Sequence, residues 1–303
     1  MILGHLAAGD LARRLKGPGL PIRTGPFVVR VRCGLPAVED ALALLYANHT
    51  VADDDAFADA TLTLAPPTGL RRWFKPQVQV HFDGHPLFEP LPLEQAYALL
   101  EWTMNWWIAG NAHQYLLLHA AVIEREGLAA ILPAPPGSGK STLCAGLIHR
   151  GWRLLSDEMA MVSLADGLIY GLARPVSLKN ESLQVVRQFA PTAVFGKPAH
   201  DTAKGTVSHL KPKAEDVRRV AEPAAPRWVV FPRYVPDAPA RMLPRAKADS
   251  MMELGRNAFN YAVLGLDGFQ ALAAITSASD SFDFSYSRLD DAAAAFDDLV
   301  ARR

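Results

Sequence analysis

The stretch Ala134-Pro-Pro-Gly-Ser-Gly-Lys140-Ser141 constrains this chain more than any other. It fits the pattern of Ala or Gly, four residues, then Gly-Lys and a hydroxyl residue. An apolar run, LAAILPAP, precedes it, and a helix-forming run, KSTLCAGLIHR, follows it up to Gly151. That context is the one a phosphate-binding loop requires. Gly137 and Gly139 let backbone N–H groups curl around phosphate oxygens where a side chain would collide. The helix presents its N-terminus to the anion. Residues 136–142, namely Pro136, Gly137, Ser138, Gly139, Lys140, Ser141 and Thr142, are the expected nucleotide-binding set. Within it, Lys140 reaches the β- and γ-phosphates and the Ser141 hydroxyl ligates Mg²⁺.

An acidic pair, Asp157-Glu158, comes back only 17 residues past Lys140 (157 − 140). The strand–loop–helix–strand unit over 128–158 reads as a right-handed crossover between parallel strands. Parallel strands end on the same sheet edge, where ligands bind in open α/β sheets. The two acids should therefore arrive beside the phosphates. Adjacent strand residues point opposite ways, so one acid is expected to hold Mg²⁺ while the other accepts a proton from an incoming hydroxyl. The sequence leaves open which acid does which, and a solvated strand end is the plainer alternative.

Elsewhere the patterning is mixed. PFVVRVRC alternates as a strand, and GLPAVEDALALLYANH has helical spacing at Val38, Ala41, Leu42 and Leu45. TLTLAPP and VQVHFDG read as strands, and a helix leads to Asn111. Its Trp102, Trp106 and Trp107 form an aromatic stripe suited to a core or a domain interface. YLLLHAAVIE-REG-LAAILPAP reads as a strand–turn–strand hairpin. Residues 159–179 read as further strands with a turn at Asp166-Gly167, RWVVFPRYV as a strand, and DDAAAAFDDLVARR as a closing amphipathic helix. Residues 190–226, rich in Pro, Ala, Lys and Thr, read as a loop. Their KGTVSHLKPK segment, with Lys204, His209, Lys211 and Lys213, offers a lid over a nucleotide or ordinary solvated charge. The expected division is an N-terminal α+β domain over 1–112 and a catalytic domain over 113–303.

Lys plus Arg and Asp plus Glu both number 31, so no global field would gather nucleic acid or an anionic membrane. Phosphate recognition must then be local. Cys33 and Cys144 lack CxxC spacing, which indicates neither a disulfide framework nor a zinc site. The apolar region 91–123 carries Glu94, Glu101, Asn105, Asn111 and His113, unlike a membrane span. A soluble, cytoplasmic protein is expected.

PPGSGKSTLCAGLIHRGWRLLSDE resembles the catalytic domain of HPr kinase/phosphorylase, in which a phosphate loop is joined to L-I-x-R-G-x-R-L and an acidic pair. LGRNAFNYAVL resembles that family's P-G-R-N segment. The likeness is closer still to the HprK-related kinase A group and extends to LRRWFKPQV, LLHAAVIE and RPVSLKNES. The resemblance implies an α/β fold of the HPr kinase/phosphoenolpyruvate carboxykinase type, preceded by the small α+β domain. It also implies ATP and Mg²⁺ as cofactors and transfer of phosphate to a serine. Carried over by position, Lys140 and Ser141 bind phosphates and metal, and Asp157 is the base or shares the metal with Glu158. Arg256 sits near the transferred phosphoryl group, and Asn257 orients either Arg256 or the substrate. His119 matches a family histidine and either supports the acids or is a core histidine. Arg174, Lys179 and Asn180 either hold phosphate or an acidic substrate, if their loop folds over the nucleotide, or are ordinary solvated charges. Two departures stand out: Asp-Asp in the family is Asp157-Glu158 here, and the first hundred residues do not match the family's N-terminal domain.

The expectation is therefore an ATP- and Mg²⁺-dependent phosphotransferase acting on a hydroxyl, most simply a serine of an unidentified protein or peptide. Homo-oligomerisation stays open, since HPr kinases form hexamers. The alternatives are a nucleotide-binding regulatory module and a kinase of a small metabolite.

Overall fold

The computed structural model describes residues 1–7, 9–67, 74–135 and 137–302. Pro136 and the 70–73 part of LRRWFKPQV lie outside the described residues. Among the described residues, helices and strands alternate in a mixed α/β arrangement with four sheets.

The first sheet has the strand order Leu20–Thr24, Phe27–Cys33, Ala60–Ala65, Gln77–Phe82, with the short His85–Pro86 and Leu91–Pro92 both pairing with the last of these. Gly25 turns the opening hairpin at φ 58°, and a Cβ there would lie 2.1 Å from the Gly171 carbonyl oxygen. The turn needs glycine both for its dihedral and for this close approach. Phe27–Cys33 runs parallel to Ala60–Ala65, with Val29 opposite Ala60. The helix Pro36–Leu45 lies in that connection and buries Val38, Leu42 and Leu45, three of the four positions its spacing marked, with Ala41 half-buried. Ala60–Ala65 alternates buried and half-buried residues, as a one-sided strand must. The long helix Ala96–Asn111 closes this core. The core does not stop at residue 112, because Leu117, Met159, Met161 and Leu172 pack into the same cluster.

The aromatic stripe divides by depth. Trp107 is buried and meets Phe27 edge-on at 5.5 Å, whereas Trp106 stays exposed against Phe82 and Phe88. Lys204 sits 5.7 Å over the Trp102 ring.

The second sheet is central. Its order is Arg153–Ser156, Ala120–Arg125, Leu128–Pro133, Ala225–Tyr234, Asp280–Tyr286, Arg241–Pro244. Both faces are covered, which explains why its strands read as continuous apolar runs. Ala121, Ile123, Ala130, Leu132, Leu154, Trp228 and Val230 face one core, which the helices Lys140–Ile148 and Leu289–Ala301 also line. Ala120, Val122, Ala129, Ile131, Leu155 and Val229 face the opposite core with the helices Lys247–Arg256 and Leu266–Ala278.

The expected crossover has parallel strands but not neighbouring ones. Arg153–Ser156 and Leu128–Pro133 each pair antiparallel with Ala120–Arg125, which lies between them. Their C-terminal ends therefore share one sheet edge. The pairing of Arg153–Ser156 is irregular between Leu154 and Ser156. The Leu155 carbonyl instead accepts from the backbone of Leu172 and Ala173, both at 2.8 Å.

Two expectations are corrected. YLLLHAAVIE is not one strand. It breaks at His119 into Tyr115–Leu118, in a three-stranded sheet with Ala160–Ser163 and Ile169–Tyr170, and Ala120–Arg125. The segment 190–226 is not a loop. Ala199–Thr202 and Gly205–Leu210 form the last sheet with Val176–Lys179, followed by the short helix Ala214–Arg218. Its alternation was masked because the polar Ser208 and His209 are themselves buried. Among the described residues, no helix is long and apolar enough to cross a membrane.

Candidate active site

The glycine loop leaves the strand Leu128–Pro133 and enters the helix Lys140–Ile148. Gly137 and Gly139 have φ 88° and 89°. A Cβ on Gly139 would lie 2.6 Å from the Tyr286 hydroxyl, which donates to the Gly139 carbonyl at 2.9 Å. Tyr234 donates its backbone N–H to the Ser138 carbonyl at 2.9 Å. The loop is thus braced by the ends of the two neighbouring parallel strands. No side chain caps the helix, so its first-turn N–H groups are left for a ligand.

The loop forms one wall of a cavity of about 330 Å³. Residues 137–142 line it together with His119, Glu158, Ser177, Lys179, Asn180, Ser182 and Lys204. Lys140 is buried, and its Nζ has no hydrogen-bond partner among the described residues; the same holds for the Ser138 hydroxyl. A buried ammonium without a partner is costly, and an anion in the cavity would relieve it.

The acids lie in the bend just past Arg153–Ser156, not within the strand as expected, and the bend sends them to different sides. Glu158 opens into the cavity, its side chain 31% exposed, with Oε2 3.5 Å from His119 Nε2. Asp157 turns inward, buried, and its Oδ2 accepts from the Ser177 backbone N–H at 3.1 Å. Burial first, and then the adjacent Glu158 charge, push the Asp157 carboxyl up to about 7. Lys140 and hydrogen bonds from Ser141 and Ser177 oppose that rise. Burial also acts to raise Glu158, but the His119 hydrogen bond and the Lys140 and Lys204 charges outweigh it and hold that carboxyl below its ordinary range. The better-exposed acid is the more readily ionised one, and Asp157 is the acid that keeps a proton to higher pH.

His119 stands at the break between two strands. Its backbone N–H donates to the Asn257 carbonyl at 2.7 Å, and its ring lies 5.7 Å from Phe259. Asn260 secures that arrangement. It accepts from the Leu117 N–H at 3.0 Å and donates to the Tyr115 carbonyl at 2.8 Å. The GRN segment therefore reaches the site through the Asn257 backbone, while the Asn257 side chain bonds to Glu253.

Arg256 does not join the cavity. Its side chain is 69% exposed and pairs with Glu253 at 3.3 Å, on a separate apolar groove lined by Met251, Met252 and Phe269. Arg174 is likewise committed elsewhere. It is buried, bonded to Glu101 at 2.6 Å and to Asn105 at 2.7 Å. Lys179 and Asn180 do line the cavity, and Lys204 reaches it from the turn between Ala199–Thr202 and Gly205–Leu210.

Sequence reasoning missed Ser177, Ser182, Glu101, Asn260 and Tyr286. Glu101 carried a signal: a lone acid in an apolar helix that spans no membrane needs a buried partner. The others are short polar or aromatic residues whose roles come from distant pairing alone.

The residues fit a nucleoside triphosphate with Mg²⁺. The unpaired Lys140 ammonium, the glycine cradle and the uncapped helix suit phosphate, and Ser141 with the two carboxylates suits a hard cation. Among the described residues, no group of three or more His, Cys, Asp or Glu gathers to hold a metal alone.

No family model matches the chain, and no curated protein matches it. Among solved structures, the HPr(Ser) kinase/phosphatase from Coxiella burnetii aligns with a TM-score of 0.26 and 11% identity, over 62% of this chain and 99% of that one. That likeness is too low to carry an argument.

Proposed function

We propose that this chain is an ATP- and Mg²⁺-dependent phosphotransferase that moves a γ-phosphoryl group to a hydroxyl, on the HPr kinase-like plan its motifs resemble. The supporting observation is a single juxtaposition. Lys140, buried and unpaired, and the pair Asp157-Glu158 meet at one sheet edge beside a glycine cradle.

In this reading, residues 137–142 hold the phosphates and Lys140 draws charge off the terminal one. Ser141 and Glu158, with Asp157 adjacent, hold Mg²⁺, which when bound neutralises phosphate charge. Asp157 takes the proton as the acceptor oxygen bonds to the γ-phosphorus and the bond to the β–γ bridging oxygen breaks. Its raised carboxyl suits a base working near neutral pH. The exposed Phe259 beside His119 favours a protein or peptide acceptor over a metabolite, because it puts an apolar contact at the cavity's edge.

One observation favours a second reading, a nucleotide-binding module with little transfer. No arginine lines the cavity among the described residues; Lys140, Lys179 and Lys204 are its cations. Incubation with γ-labelled ATP, Mg²⁺ and co-purified proteins, followed by mass spectrometry, separates the two. Label on a seryl side chain is the expected result. Nucleotide binding with label only on water or nowhere would favour the module.

A further inference from the structure

Behind the acid pair lies a second, much smaller cavity, of about 20 Å³. Asp157, Arg174 and His209 all line it, along with Glu101, Glu158 and Ser177. Three polar atoms of these residues have no hydrogen-bond partner among the described residues: Asp157 Oδ1, Arg174 Nε and His209 Nε2. Their residues are 4%, 6% and 3% exposed. Three residues that line one small space each carry an unpaired buried polar atom, which calls for an explanation.

The chemistry of the wall selects the occupant. Arg174 Nε–H only donates, the Asp157 carboxylate accepts, and a neutral imidazole nitrogen does one or the other. The occupant must therefore both accept and donate. A cation is excluded by the Arg174 guanidinium, and an anion by the carboxylates of Asp157, Glu158 and Glu101. The volume exceeds the roughly 10–15 Å³ that one water needs.

We propose that a single structural water fills this cavity and bridges Arg174 Nε and His209 Nε2 to Asp157 Oδ1, making Arg174 and His209 positioning residues for Asp157. The Ser177 N–H fixes one carboxylate oxygen and the water fixes the other. A carboxylate has about four lone-pair sites, so two remain, for the Ser141 hydroxyl and for substrate or metal.

The support behind the water is rigid. Glu101 accepts from Tyr46 at 2.8 Å and Tyr97 at 2.7 Å, and Arg174 also donates to the Glu101 carbonyl at 2.9 Å. Tyr97 meets His209 edge-on at 5.1 Å. His49, whose pKa burial lowers to about 4, donates to the Ala173 carbonyl at 3.2 Å. Ala173 holds φ 46°, a left-handed geometry rare for alanine. The region before residue 112 thus helps to aim an acid that belongs to the glycine-loop unit.

The positioning role rests on the phosphotransferase reading, whereas the water does not. A crystal structure of the full chain at about 1.8 Å decides the water. One peak within hydrogen-bond distance of all three atoms is expected. A cavity closed by repacking, or a peak bonded to fewer than two of them, overturns the site. For the role, with transfer established in the wild type, His209→Phe should lower kcat roughly tenfold and leave the KM for ATP within about twofold. His209→Gln should restore most of that rate. Equal loss in both variants, or a KM that rises as kcat falls, overturns the role. A wild type that transfers nothing refutes the enzyme reading and the role with it, and the crystal still decides the water.

Discussion

The two cavities that flank Asp157-Glu158 are built in opposite ways. On the glycine-loop side the cations Lys140, Lys179 and Lys204 form no ion pair among the described residues, and the wall is glycine backbone and an uncapped helix. On the other side the cation is Arg174, locked to Glu101 and Asn105. Charges left free mark a face prepared for a ligand; charges already paired mark a face that holds the first one still. The same contrast separates Arg174 from Arg256, each of which a sequence reading could place at the phosphates. Both are engaged, one in the interior and one at the surface.

The largest effect should come from breaking the scaffold side. Glu101→Gln leaves Arg174 buried without its carboxylate and should cost about 3–5 kcal/mol of stability in chemical denaturation. A loss below about 1 kcal/mol would mean that the ion pair is not the anchor described. Next comes the boundary between the cavities. Asp157→Asn should keep ATP binding and lower transfer by roughly 10²-fold or more; unchanged turnover would remove Asp157 from the chemistry. On the ligand side, Lys140→Ala should weaken nucleotide affinity by about tenfold or more in calorimetry. Retained affinity would contradict the free-charge side of the comparison.

A smaller effect concerns pH. The Asp157 carboxyl is raised in the folded protein, so its stabilising contribution is complete below the ordinary carboxylate value. It is lost as pH rises through about 7. Without metal, Asp157→Asn should therefore melt about 2–4 °C above the wild type at pH 8, and the gap should shrink by pH 5. A gap that widens toward acid would reverse the assignment of the proton. The smallest effect belongs to Arg256→Ala, which should change ATP affinity by less than about twofold because the side chain stays on the outer groove. A larger loss would show that Arg256 swings into the cavity when nucleotide binds.

Legibility followed how local the determinant was. The glycine loop, its flanking strand and helix, and the acids at the next parallel strand end could all be read. Their logic is contained within residues 128–158, and an apolar run marks each element. The intervening strand Ala120–Arg125 was seen as part of a hairpin, but not as the spacer inside the crossover. Strand order is set by packing on both faces, not by spacing. The strand Gly205–Leu210 was hidden because Ser208 and His209 are buried through distant partners, the Gly196 carbonyl for Ser208 and the Tyr97 ring for His209. Glu101 and Arg174, 73 positions apart, show the same limit. Glu101 signals that it needs a buried partner, but Arg174 reads as an ordinary charge until the fold brings the two together.

The most direct measurement is a crystal structure with Mg²⁺ and a non-hydrolysable ATP analogue. The expected result is a triphosphate cradled by residues 137–142, with Lys140 on its terminal phosphate and Asp157-Glu158 facing that phosphorus across the metal. A nucleotide bound elsewhere, or one whose terminal phosphate points away from the acid pair, would contradict it.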